Sequence, residues 1–125
     1  MRLLLDTQIY LWFLADSKRL SKKARQDIAH ADEVTVSAAS IWEASIKAAL
    51  GKLEVDSTAL AEGIQASGFV ELPIRAFHGV AAATLPDHHR DPFDRMLLAQ
   101  AMTEPMHLLT TDAVLARYSP LVRVV

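Results

Sequence analysis

Short apolar runs alternate along this chain with longer segments that have helical patterning. The first run, at residues 2–5, contains Leu3, Leu4 and Leu5 in succession. Parallel strands need long crossover connections, which are usually helices that cover the faces of the sheet. The alternation therefore predicts an α/β fold, a three-layer α/β/α sandwich around a parallel sheet of about five strands.

The predicted elements follow from apolar periodicity, capping residues and Gly or Pro stops. Strands are predicted at 2–5, 33–36, 69–72, 107–109 and 121–125. Helices are predicted at 7–15, 22–30, 37–50, 57–66, 75–84 and 91–103, with a short one at 113–118. No linker or repeat divides the sequence, so we expect a single domain over residues 1–125.

Composition narrows the class of protein. The hydrophobic fraction of 51% is enough for a two-sided core, and the absence of Cys excludes disulfides and thiolate metal sites. This fits a reducing cytoplasm, and no segment approaches the ~18 apolar residues of a membrane span. The formal net charge of -2 argues against a tight, metal-free grip on nucleic acid. It is weaker evidence against an enzyme whose acidic pocket is neutralised by metal.

Acidic residues occur where predicted strands give way to helices: Asp6, Glu43, Asp94 and Asp112. The carboxyl ends of parallel strands lie along one edge of an open sheet, so these residues can converge although they are far apart in sequence. Carboxylates without cationic partners repel one another and usually imply a bound cation. The pattern therefore predicts a metal-dependent enzyme, most naturally one acting on phosphate.

Helix capping is the competing interpretation of each acid. Asp6 and Asp112 could simply be N-caps, and Asp94 could belong to an ordinary first turn after Pro92. Glu43 could form a capping box with Ser40. Ser37 is an equally good N-cap, however, and would free Glu43 to face the sheet edge. Capping alone should also give a mixture of Ser, Thr, Asn and Asp at these junctions.

Several segments, in this order and spacing, resemble the PIN domain and in particular the VapC-like ribonuclease toxins of bacterial toxin–antitoxin pairs. The resemblance covers nearly the whole chain, although each segment alone is a weak signal. The segments are LLDT at 4–7, VSAASIWE at 36–43, GKL at 51–53, HHRDPFDR at 88–95, AQA at 99–101 and LTTD at 109–112.

The resemblance implies an acidic centre that binds Mg²⁺ or Mn²⁺ and cleaves RNA. By motif match the catalytic acids are Asp6, Glu43, Asp94 and Asp112. Asp6, Asp94 and Asp112 are the expected metal ligands, and Glu43 would hold the nucleophilic water or complete the metal shell. Some members have a further acid where this chain has Val114. The implied partners are RNA, a cognate antitoxin whose tail covers the active site, and a second copy in a homodimer or larger assembly.

Other functions remain open from the sequence alone. A phosphatase or phosphotransferase could use Asp6 as nucleophile, but it would favour a second Asp at position 8, where this chain has Gln8. A non-catalytic binding module could retain the acids as caps.

Several neighbouring residues have more than one interpretation. Arg95 and Lys47 could contact RNA, pair with the acids or lie in solvent. Thr7 and Thr111 could orient carboxylates, touch phosphate or be ordinary turn and cap residues. We expect loop-surface positions for His88 and His89, since no spaced His/Cys set supports zinc. Core or interface positions are expected for Trp12 and Trp42.

Overall fold

The computed structural model describes residues 1–125 and contains one five-stranded parallel sheet. In chain order the strands are β1 (Arg2–Leu5), β2 (Glu33–Ser37), β3 (Val70–Leu72), β4 (His107–Thr110) and β5 (Val122–Val124). Their spatial order is β3-β2-β1-β4-β5, and every neighbouring pair is parallel. The predicted α/β sandwich is confirmed.

Six α-helices connect the strands. They are α1 (Thr7–Leu14), α2 (Lys22–His30), α3 (Ala38–Ala49), α4 (Ser57–Ala66), α5 (Ala76–Thr84) and α6 (Pro92–Thr103). The short helix predicted after Asp112 is a 3₁₀ helix over Ala113–Arg117. Each predicted element is present, with its ends within two residues of the predicted ones.

The central position of β1 in the sheet explains why its apolar run is unbroken. Successive side chains of a strand point to opposite faces. Leu3 and Leu5 belong to a core that also contains Ile9 and Tyr10 of α1, whereas Leu4 belongs to a second core on the opposite face of the sheet. A parallel strand that is covered on both faces needs apolar residues throughout.

The order of the strands locates the crevice of the fold. The chain builds β1, β2 and β3 in one direction and then continues with β4 and β5 on the other side of β1. The backbone N–H of Asp6 donates to the carbonyl of Leu109 at 3.0 Å, which ties the ends of β1 and β4 together. Ligands of open α/β sheets bind outside the strand ends at such a switch point.

None of the helices is both long enough and apolar enough to cross a bilayer.

Candidate metal centre

The four acids predicted from sequence line one pocket at the carboxyl edge of the sheet. The pocket has a volume of about 210 Å³ and contains Asp6, Glu43, Asp94 and Asp112 in its wall. They come from the end of β1, from α3, from the first turn of α6 and from the segment after β4. The structure therefore brings them together, and their assignment as catalytic residues or ligands remains a prediction.

Asp6 has two roles at once. Its Oδ1 accepts from the backbone N–H of Ile9 at 2.8 Å, so it is the N-cap of α1. Burial raises the pKa of Asp6 to about 6, and the charges of Glu43 and Asp112 add to the rise. Hydrogen bonds from the Thr110 side chain and from Ile9 oppose it. A carboxylate has about four lone-pair sites, so capping still leaves oxygen free to face the pocket.

Asp94 is not a cap. Asp91 is the N-cap of α6, and its Oδ1 accepts from the backbone N–H groups of Phe93 at 2.8 Å and Asp94 at 3.1 Å. Burial raises the pKa of Asp94 to about 7, and the charges of Asp91, Glu43 and Asp6 raise it further while His89 opposes them. The carboxyl group of Asp94 is therefore costly to ionise where it stands.

Asp112 is a cap and also a member of the pocket. Its Oδ1 accepts from the backbone N–H of Val114 at 3.0 Å at the start of the 3₁₀ helix. Its own N–H donates to Oγ1 of Thr110 at 3.1 Å. Thr110 therefore contacts both Asp112 and the carboxyl of Asp6, whereas Thr111, the residue singled out from sequence, is exposed at the rim of the pocket.

Glu43 is held by side chains rather than by a helix terminus. Ser37 is the N-cap of α3, with its Oγ accepting from Ala39 N–H at 3.0 Å, so the capping-box interpretation is wrong. The Oε1 of Glu43 accepts from the Thr7 hydroxyl at 2.6 Å, and its Oε2 accepts from Lys47 Nζ at 2.8 Å. Thr7 does orient a carboxylate, which was one of the roles considered for it from the sequence.

Lys47 is paired with an acid, which was one of its alternatives. The hydrogen bond to Glu43 raises the pKa of Lys47, and the charges of Glu43, Asp91 and Asp94 contribute. Lys47 is thus a cation at the wall of an acidic pocket.

Arg95 does not contact the acids. One of its terminal nitrogens donates to the carbonyls of Pro86 (2.9 Å) and His89 (3.2 Å), and the other donates to those of Ala82 and Leu85, both at 2.9 Å. These bonds fasten the 85–90 loop and the end of α5 to α6. Neither contact with RNA nor pairing with the acids, two of the three alternatives left open for Arg95, is supported by this geometry.

His89 is the residue that sequence reasoning misplaced. It was expected at the loop surface, but its Nε2 lies 3.2 Å from Oδ2 of Asp94 and 3.2 Å from Oδ2 of Asp112. His88 is exposed, and its ring packs edge-on against Tyr118 with 5.1 Å between ring centroids. Proximity in sequence to the Asp91 cap was the only available signal, and both His residues share it.

The residues of the pocket fit a divalent cation. Four carboxylates face one ammonium group, so negative charge is in excess, and carboxylate oxygens are what hard divalent cations prefer. Capping explains the positions of Asp6 and Asp112 but not those of Asp94 and Glu43. A set of acids that served only as caps is therefore a poor description of the pocket.

Comparison of the sequence with known protein families identifies the family of this chain. The sequence model of the PIN domain matches residues 3–120. This chain belongs to the PIN domain family. A PIN domain relative, Ribonuclease VapC22 of Mycobacterium tuberculosis, is 32% identical over 111 residues, which are 87% of this chain and 85% of that protein.

Solved structures with the same fold have little sequence similarity to this PIN domain. A crystal structure of VapBC2 from Rickettsia felis, bound to a DNA fragment from their promoter, aligns with a TM-score of 0.71 at 13% identity. The alignment covers 100% of this chain and 98% of that chain. A toxin–antitoxin complex from Klebsiella pneumoniae aligns with a TM-score of 0.68 at 18% identity, covering 97% and 95%. These similarities support the fold.

Proposed function

We propose that this PIN domain is a divalent-metal-dependent endoribonuclease and the toxin component of a toxin–antitoxin pair. The observation that carries the proposal is the single pocket into which Asp6, Glu43, Asp94 and Asp112 converge. The 32% identity to a protein named as a ribonuclease supports RNA as the substrate. Single-stranded segments are the expected targets, because their phosphates and bases are accessible.

Three of the acids are suited to hold the cation. Asp6, Asp94 and Asp112 would supply oxygen ligands to Mg²⁺ or Mn²⁺, with Asp112 acting directly or through water. When bound, the cation would lower the pKa of a water molecule and offset charge at the scissile phosphate. The raised pKa values of Asp6 and Asp94 mark the unfavourable charge that a cation would relieve.

Glu43 is suited to orient the attacking water. Each of its oxygens accepts one hydrogen bond, from Thr7 or from Lys47, and each can accept another. The two donors fix the direction of the carboxylate, so a water that donates to Glu43 would be held at a defined place in the pocket. Lys47, which is half-exposed, can also meet a phosphate oxygen that enters the pocket.

An apolar groove beside the pocket suits an antitoxin segment. The groove has a volume of about 610 Å³ and lies between α1 and the 53–60 segment, with Trp12 among its lining residues. Gln8, Leu11 and Leu53 line both the groove and the acidic pocket. A peptide in the groove could therefore extend into the pocket and exclude RNA, as the proposed antitoxin must do.

Exposed apolar residues on another surface suit a second copy of the chain. Trp42 is 60% exposed and packs edge-on against Phe93, and Ile74, Phe77 and Val80 are also exposed. Apolar patches of this kind are common at protein interfaces. We therefore propose that residues 1–125 act as one nuclease domain that forms a homodimer, or a larger toxin–antitoxin assembly, in the cytoplasm.

The proposal is tested with purified protein and single-stranded RNA. We expect cleavage with Mn²⁺ or Mg²⁺, none with EDTA, and none by Asp6→Asn, which keeps the α1 cap because an Asn oxygen can accept from Ile9 N–H. Cut sites are mapped after controlled expression of both proteins in cells. Unchanged cleavage by a pure, folded Asp6→Asn protein would refute the proposal.

A further inference from the structure

We infer that His89 is a positioning residue of the metal centre: its Nε2–H donates a hydrogen bond to Asp112 and lies against Asp94, and the ring does not itself bind the cation. The inference rests on the proposed function, since it assigns a role around the same centre. His89 is half-buried, and its Nε2 is 3.2 Å from one oxygen of each carboxylate. No other side chain bridges these two acids.

A ligand role for His89 is the alternative. One ring nitrogen of His89 and one oxygen each from Asp94 and Asp112 all lie within 4.8 Å of one another, which is compact enough for a three-ligand site. Imidazole is also a common ligand of transition metals. The choice between ligand and positioning residue therefore depends on whether Nε2 carries a lone pair or a proton.

The other ring nitrogen decides this question. The backbone N–H of Asp91 donates to Nδ1 of His89 at 3.1 Å, so Nδ1 must be the unprotonated nitrogen. The ring proton is then on Nε2, which donates to Oδ2 of Asp112 and lies 3.2 Å from Oδ2 of Asp94. A histidine that binds metal normally has the opposite arrangement, with its second nitrogen donating to an acceptor.

The position of His89 is fixed by the structure around its loop. The Arg95 guanidinium holds the carbonyl of His89 at 3.2 Å and three other carbonyls of the same region. On the other side, the backbone N–H of His88 donates to the Tyr118 hydroxyl at 3.0 Å. The imidazole is therefore held against Asp94 and Asp112 by a fastened loop.

His89 links two acids that reach the pocket from different elements. Asp94 lies in the first turn of α6, whereas Asp112 precedes the 3₁₀ helix after β4. Contact with the same ring nitrogen sets the spacing of their Oδ2 atoms. Oδ1 of Asp94, and the second lone pair of the Asp112 Oδ1 that caps Val114, can then face the cation. Residues that orient metal ligands typically contribute roughly 10- to 100-fold to metal affinity.

The test measures binding of Mn²⁺ alone to the metal-free protein by isothermal titration calorimetry. We expect His89→Ala to bind roughly 10- to 100-fold more weakly than the parent. His89→Gln should recover part of the loss, because its side-chain amide can place an N–H donor near the position of Nε2. The matched control is His88→Ala, which should bind like the parent because the exposed His88 ring packs on Tyr118 and contacts none of the acids.

Spectroscopy of the unmodified protein separates the two roles without any variant. Pulsed electron paramagnetic resonance of the Mn²⁺-loaded parent should give no ¹⁴N coupling from a directly bound imidazole. Such a coupling, lost in His89→Ala, would overturn the inference in favour of a ligand role. Parental affinity in His89→Ala, or no recovery in His89→Gln, would also overturn it while leaving the proposed nuclease intact. Failure of the parent to bind Mn²⁺ would overturn both.

Discussion

Thr7 and Glu43 are joined by a 2.6 Å hydrogen bond between Oγ1 and Oε1, which connects the first turn of α1 to the second turn of α3. Both residues are buried. The bond gives Glu43 a fixed direction that no helix cap could supply, and it makes a hydroxyl next to Asp6 part of the acidic pocket.

Replacing that hydroxyl should reduce both stability and cleavage. Thr7→Val keeps the shape of the side chain but leaves Oε1 of buried Glu43 without a donor, which should lower the free energy of unfolding by about 1–3 kcal/mol. RNA cleavage should fall because the carboxylate loses its direction. Urea unfolding and a cleavage assay measure the two effects, and Thr7→Ser, which keeps the hydroxyl, should retain most of both. Equal stability and equal cleavage activity of Thr7→Val and Thr7→Ser would argue against a role of the Thr7 hydroxyl in orienting Glu43.

The buried acids should give the metal-free protein an unusual dependence on pH. The pKa values of about 6 for Asp6 and about 7 for Asp94 lie above those of an unfolded chain, so between pH 4 and 7 the folded state binds more protons. The free energy of unfolding should therefore decrease as pH rises through this window, by an amount on the order of a few kcal/mol.

The pH effect can be measured by urea unfolding in EDTA at pH 5 and pH 8. Asp94→Asn should be more stable than the parent at pH 8 and should lose less stability between the two values. Asp87→Asn, at an exposed position of the same loop region, should follow the parent. A parent protein that is more stable at pH 8 than at pH 5 without metal would contradict the assignment.

Arg95 should be needed for the loop and not for RNA contact. Its guanidinium serves four backbone carbonyls, and the ammonium of Lys, with three donors on a point charge, cannot reproduce that fork. We expect Arg95→Lys to lower the free energy of unfolding by about 1.5–3 kcal/mol and to weaken Mn²⁺ binding through the displaced loop. The control Arg90→Lys, at an exposed neighbour, should change neither. Full stability of Arg95→Lys, with loss of RNA binding only, would favour the RNA role instead.

Two helical glycines should respond in opposite directions to Ala. A Cβ at Gly63 in α4 would lie 2.9 Å from the Tyr10 hydroxyl, which is buried and donates to the Leu60 carbonyl at 2.7 Å. Gly63→Ala should therefore cost about 1–3 kcal/mol. A Cβ at Gly79 in α5 meets nothing within 4 Å, so Gly79→Ala should add about 0.5–1 kcal/mol. Thermal and urea unfolding compare the pair. Stabilisation by Gly63→Ala would show that the α1–α4 contact is loose, and destabilisation by Gly79→Ala would contradict the open space at that position.

The fold and the convergence of the acids could be predicted because both depend on local patterns. Short apolar runs such as Leu3–Leu5 are typical of strands that are buried on both faces of a sheet. In a parallel sheet, the residues that follow the strands lie along the same edge. Asp6 and Asp112 were therefore expected near each other although more than 100 residues separate them. The alternation of strands and helices was sufficient to predict both the fold and the convergence of the acids.

Details that depend on a single turn of backbone could not be predicted. Ser37 and Ser40 are both good N-caps, and the choice between them decides where Glu43 points. Thr110 and Thr111 differ only in which one completes β4. His88 and His89 are chemically identical. The contacts of Arg95 and Tyr118 with their loop, which no periodicity of the sequence reveals, decide which imidazole reaches Asp94 and Asp112.

The double use of Asp6 has a consequence for the evolution of the gene that encodes this chain. The same carboxylate that begins α1 also faces the pocket, so most substitutions of Asp6 that inactivate the centre would also weaken the start of the helix. The loss would be about 0.5–2 kcal/mol for a side chain that cannot cap and smallest for Asn, Ser or Thr, which can. A folded but inactive variant with one of these three residues would still compete for the antitoxin of the proposed pair.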